Sequence, residues 1–102
     1  MGLFGKKKVV NYEAPAGASF VMPIKDVFKI YGLGVAIIGT VEVGHIGVYD
    51  TVEITDGISA EVTGIECART SVASAEAGQQ VALLIADVIP GTVQKGMVAY
   101  KM

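Results

Sequence analysis

The residues with the most chemical reach are Cys67 and His45, the single cysteine and single histidine of the chain, 22 positions apart. A thiol beside an imidazole can act as a nucleophile if the two meet. The local pattern argues against a meeting. His45 follows Gly44 in a turn-like link and reads as an exposed turn residue. Cys67 ends an apolar stretch and reads as a small core side chain. A metal site needs three or four converging ligands. The carboxylates are scattered, and Glu42, Glu53 and Glu61 sit on alternating strands and read as solvent-facing residues. No Gly-x-x-x-x-Gly-Lys-Ser/Thr run is present to cradle phosphates. Gly32-Leu33-Gly34 is not followed by a helical pattern, so it makes no dinucleotide fingerprint. The expectation is a protein that binds without catalysis, with no cofactor and no metal.

Such a protein works through its surface, and composition limits that surface. The chain has 102 residues, 52% apolar and 18% charged, with a net charge of −2. The charge is uneven. Lys6, Lys7 and Lys8 form a basic run near the start, and the remainder carries five basic residues against ten acidic ones. A broad nucleic-acid face, as for DNA, needs more basic side chains than that. Any nucleic-acid contact must be local and pocket-like. The opening MGLFGKKK does not read as a secretory leader, because its lysines follow the short apolar run. Lys6 stands where a myristoylation motif wants Ser or Thr. No apolar run reaches the roughly 20 residues of a membrane span. The expectation is a cytoplasmic protein without membrane contact, divided into a flexible basic tail over 1–15 and one folded domain over 16–102.

The elements that must position any site are strands. Helical periodicity is absent, and short Val-, Ile- and Phe-rich runs are broken by Gly and Pro. Strands are predicted at Ser19 to Met22, Asp26 to Tyr31, Val35 to Val43 with a bend or bulge at Gly39, Thr51 to Thr55, Ile58 to Cys67, Val81 to Ala86 and Met97 to Tyr100. Asp56-Gly57 signals a hairpin. His45 to Val48 reads as a link and Thr70 to Gly78 as a small polar loop. Val81 to Ala86 is almost wholly apolar, which predicts cover on both faces. The pattern is all-β. Closure into a barrel would remove exposed edges.

The run Met22-Pro23-Ile24-Lys25-Asp26-Val27-Phe28-Lys29-Ile30-Tyr31-Gly32-Leu33-Gly34 is followed by Gly39-Thr40-Val41-Glu42-Val43-Gly44. Further on come Asp50-Thr51-Val52-Glu53-Ile54, Thr63-Gly64-Ile65-Glu66, Ala77-Gly78-Gln79-Gln80-Val81 and Lys95-Gly96-Met97-Val98. In this order these runs resemble the second domain of elongation factor Tu and related translation GTPases. The resemblance implies a closed Greek-key β-barrel of six to seven strands. In the family a GTPase domain and a third barrel flank this one. The expectation is therefore a free-standing domain or a fragment, and the tail from Gly2 to Lys8, unlike the family's linker, favours a natural small protein.

The resemblance also implies a site. Family members hold the aminoacylated 3′ end of transfer RNA. By position, Ile30, Ala36, Glu66 and Leu84 match the enclosure of the terminal adenosine. Asp26, Phe28, Ala68 and Gln80 match the surroundings of the esterified amino acid. Arg69 and Lys95 match basic positions near the RNA ends. Departures are visible too. Leu33 and Thr40 replace arginines, Val43 stands where a basic residue is common, and Ala68 stands where histidine or an aromatic is usual. Two functions compete. One is a binding module for transfer RNA, the ribosome or a partner GTPase. The other is a self-associating or protein-binding barrel with Leu33, Ile38 and Val43 as its interaction surface.

Overall fold

The computed structural model describes residues 13–55 and 57–102. The basic run Lys6-Lys7-Lys8 and most of the expected 1–15 tail lie outside the described residues, as does Asp56. Ten strands are described: β1 (Phe20–Pro23), β2 (Asp26–Ile30), β3 (Gly34–Thr40), β4 (Val43–Gly47), β5 (Thr51–Ile54), β6 (Ile58–Cys67), β7 (Thr70–Val72), β8 (Ser74–Glu76), β9 (Gln80–Ile85) and β10 (Val98–Lys101). No helix occurs among the described residues, and none is long and apolar enough to cross a membrane.

All pairings are antiparallel, in the order β2-β3-β9-β6-β5-β10-β1-β4-β8, with β7 on β6. The ten-residue β6 joins two halves. Its start pairs with β5 through Ile54↔Ile58 to Thr51↔Glu61, and its end pairs with β9 and β7. The chain crosses between the halves after β1. Ile24 N–H donates to Met97 O (2.8 Å), and the next N–H, of Lys25, donates to Ile38 O (2.7 Å).

This corrects the expectation of a closed barrel of six to seven strands. The ladder is an open path ending at β2 and β8. At one end Asp26 Oδ1 accepts the Val27 N–H (2.9 Å), so that side chain occupies a backbone donor of the end strand. At the other end β8 has three residues and a short ladder to offer. The additional strands come from segments read as link and loop. His45 belongs to β4 rather than to a turn, and Thr70 to Gly78 contains β7 and β8. Their small and polar residues carry little strand signal, and they become strands through backbone pairing. The predicted strand from Val35 to Val43 stops at Thr40 and resumes as β4.

Strand alternation builds one core. Phe20 and Met22 of β1, Val35 and Ile37 of β3, Ile46, Val52, Ile54, Val62, Ile65, and Val81, Leu83 and Ile85 of β9 are buried together. Gly39 is neither bend nor bulge, for it pairs regularly with Val81. It is glycine because a Cβ there would run into the Pro23 carbonyl oxygen and meet Met22 Cγ at 3.0 Å. The bulge lies elsewhere. Pairing jumps from Leu84↔Gly64 to Ile85↔Val62, leaving Thr63 unpaired.

Candidate nucleotide-binding face

The outward face of β2, β3, β9 and β6 gathers most of the residues singled out in the sequence. Antiparallel register sets them in rows. One row runs Phe28, Ala36, Leu84, Gly64. The next runs Asp26, Ile38, Ala82, Glu66 and, on β7, Ser71. Residues i and i+2 share a strand face, so inward neighbours feed the core while these stay outside.

Within the first row, Ala36 is small and Gly64 has no side chain. A hollow results, lined by Ile30, Leu33, Ala36, Gly64, Ile65, Glu66, Ser71, Ala82 and Leu84, with a volume of about 260 Å³. That lies just below the ~300–1,000 Å³ of ordinary small-molecule sites. Its walls are aliphatic apart from Glu66 and Ser71. The four residues matched to the adenosine enclosure, Ile30, Ala36, Glu66 and Leu84, all line this one hollow.

A second hollow of about 360 Å³ adjoins it and shares Glu66 and Ala82. It is lined by Ile38, Cys67, Ala68, Arg69, Gln80 and Val81 as well. Ala68 and Arg69 are the two central residues of the β6–β7 hairpin, between Cys67 and Thr70, and both have positive φ, 52° and 67°. A two-residue hairpin of this hand requires it, and Asn-Gly is the usual solution. Here an alanine and an arginine adopt it, and both line the hollow. No described residue forms an ion pair with Arg69 or Glu66, because the ion pair among described residues is Lys101 with Asp50. Both charged residues are exposed.

The remaining candidates fall elsewhere. Asp26 and Phe28 share the face but line neither hollow, and the Asp26 carboxylate holds the Val27 N–H. Lys95 is exposed on the connection before β10, outside both hollows. Of the expected interaction surface, Leu33 and Ile38 border these hollows, whereas Val43 borders a separate cleft with Val21, Pro23 and Glu42. Cys67 is half-buried and takes a weak hydrogen bond from Gln79 Nε2 at 3.8 Å. His45 lies opposite Glu76 on β8. No hydrogen bond between Cys67 and His45, and no group of three metal-binding side chains, occurs among the described residues.

Ala82, Ser71 and Gly64 escaped the reading of the sequence. The signal for Ala82 was present. Val81 to Ala86 was expected to be covered on both faces, yet its burial alternates, with Val81, Leu83 and Ile85 inward and Ala82 and Leu84 half-exposed.

Among solved structures, the chain is similar to translation elongation factor SelB from Methanococcus maripaludis in its apo form. The TM-score is 0.79 with 26% identity, over 95% of this chain and 20% of that one. It is also similar to a bacterial selenocysteine-specific elongation factor, EF-Sec, with a TM-score of 0.76 and 22% identity, over 82% of this chain and 15% of that one. The chain thus spans a fifth or less of the length of these proteins. No family model matches it. The fold is that of a β-domain found in translation elongation factors.

Proposed function

We propose that this chain is a non-catalytic binding module of the elongation factor Tu second-domain kind, working in the cytoplasm. It takes the 3′-terminal adenosine of an aminoacylated transfer RNA into the hollow between β3, β9 and β6. The observation that carries this reading is the convergence of Ile30, Ala36, Glu66 and Leu84 on one nucleoside-sized hollow. Ile30, Ala36 and Leu84 offer apolar surface to a base. The Glu66 carboxylate is an acceptor for a ribose hydroxyl, the group that distinguishes RNA. Arg69, which lines the adjoining hollow, offers donors to a phosphate or to a carbonyl oxygen of the attached amino acid.

The affinity follows from these contacts. Stacking one base yields about 1–3 kcal/mol. Association costs several kcal/mol in lost freedom. The module alone then binds at about millimolar strength, near −4 kcal/mol. Useful affinity requires a second contact on the same RNA, from the ribosome or a partner GTPase.

The test is a two-dimensional NMR titration of the full chain with aminoacylated and deacylated transfer RNA. Shifts are expected at Glu66, Ala82 and Leu84 with either RNA, and at Ala68 and Gln80 only with the aminoacylated form. Shifts confined to other strands, or none at millimolar RNA, would overturn the reading.

A further inference from the structure

The cleft beside Val43 shares no lining residue with the two hollows of the nucleotide-binding face, and at about 530 Å³ it is larger than either. Strand register builds its apolar part. Phe20 and Met22 of β1 belong to the core, so Val21 and Pro23 take the outward face of that strand. Val21 pairs with Val43 of β4, and Pro23 pairs with Val98 of β10. Val98 is 5% exposed, yet it is no part of the core cluster. These four residues line the cleft together with two carboxylates, Glu13 and Glu42, and no basic side chain lines it. The backbone of Glu42 is held against β1, because its N–H donates to Val21 O (2.8 Å). The ion pair among the described residues, Lys101 with Asp50, uses neither Glu13 nor Glu42. Lys95 stands next to Gly96 of the cleft but is not itself a lining residue.

We propose that this cleft seats the chain's own residues Lys6 to Val10. The run Lys6-Lys7-Lys8-Val9-Val10 sets three cations beside two apolar side chains. Those are the partners that two carboxylates and a row of valines and proline call for. Connectivity favours this occupant over a separate peptide. The described structure begins at Glu13, which is itself a wall of the cleft. Val10 lies three residues before Glu13 and Lys6 seven, at most ~11 Å and ~25 Å of extended chain. So short a tether holds the segment at about millimolar effective concentration. Exposed ion pairs are weak on their own, and at that concentration weak contacts suffice. A free basic peptide at micromolar concentration would have to displace a segment already in place.

The test is two-dimensional NMR of the full chain with charges exchanged. Lys6→Glu, Lys7→Glu and Lys8→Glu together should move the amide signals of Val21, Val43 and Val98, which are remote in sequence. The signals of Ala82 and Leu84 on the other face should stay in place. Sodium chloride at ~1 M, which screens charges beyond ~3 Å, should move the same signals of the native chain in the same direction and by less. Glu42→Lys added to the triple variant should bring the Val98 signal part of the way back, because opposite charges face each other again. Val21, Val43 and Val98 signals that ignore the triple variant overturn the proposal, as do shifts shared equally with Ala82 and Leu84. A combined variant no closer to the native Val98 signal than the triple variant overturns it as well. Cleft signals that follow protein concentration instead would place a second copy in the cleft and remove the segment from it.

Discussion

Lys101 Nζ stands 2.9 Å from Asp50 Oδ2, tying the last strand to the turn between β4 and β5 across 51 residues of sequence. The same oxygen accepts the Gly47 N–H at 2.7 Å. The hydrogen bond from Lys101, then that from Gly47, holds the Asp50 carboxyl below its ordinary value of 3.8. A carboxylate with a lowered folded pKa binds its proton less readily folded than unfolded. Its contribution to stability is therefore complete above about 3.8, the unfolded value, and disappears as pH falls from there through the lower folded value. The pair is partly open to solvent, at 26% and 35% exposure, so its worth is about 0.5–1 kcal/mol. Lys101→Met should lower stability by that amount at pH 7 and leave little difference at pH 2. Urea melts at the two pH values check it, and an equal loss at both would assign the effect to packing instead.

Gly39→Ala should destabilise the fold by about 1–3 kcal/mol, the range for forcing atoms into a packed site. The new methyl meets the Pro23 carbonyl oxygen, which is backbone and cannot rotate away. The same change at Gly57, whose φ is +84° but whose surroundings are open, strains only the backbone and should cost less. Paired thermal melts decide it, and equal losses would contradict the close approach of β1 and β3.

These two sites show what the sequence carried and what it did not. Alternating residues announced β2, β5 and β6, because burying one face of a strand writes a period of two into the chain, while β3 and β9 were announced as apolar runs. The face was legible only through family likeness, since Ile30, Ala36, Glu66 and Leu84 stand far apart in sequence and are joined by register. The β6–β7 hairpin carried no signal at all. Its central residues are Ala68 and Arg69, neither of which favours the left-handed region. The strands β4 and β8 were hidden in the same way, because their pairing, His45↔Glu76 to Gly47↔Ser74, is a backbone matter. Openness of the sheet was invisible too, as it depends on how far strand ends reach around the core.

Leu84→Asp should abolish nucleotide binding with little harm to the core, because Leu84 faces outward and is half-exposed. Glu66→Gln is the finer probe. An exposed substitution changes stability by about 0.5 kcal/mol or less. Losing a charged acceptor for a ribose hydroxyl weakens binding about tenfold, since such bonds are worth ~1.5–3 kcal/mol. Deoxyadenosine monophosphate in place of the ribonucleotide should show no difference between Glu66→Gln and the native chain at a 2′-hydroxyl contact. A tenfold difference persisting with the deoxy form would mean that Glu66 acts on another part of the ligand.

Arg69→Gly separates strain from use. Arg69 adopts φ of +67°, and a left-handed residue with a Cβ costs ~1–2 kcal/mol relative to the right-handed alternative. Glycine removes that cost but gains disorder in the unfolded chain, so the net stabilisation is about 1 kcal/mol. For a domain of this size that raises Tm by roughly 4–8 °C. The guanidinium leaves the second hollow at the same time, so RNA affinity should fall and its salt dependence should flatten by about one phosphate contact. Stability rising while affinity falls is the signature of strain retained to aim a side chain. Scanning calorimetry and RNA titrations at two salt concentrations measure both. A Tm that falls would show that the arginine stabilises its own turn. An unchanged salt slope would remove Arg69 from the phosphate contact and leave the second hollow to Gln80 and Glu66.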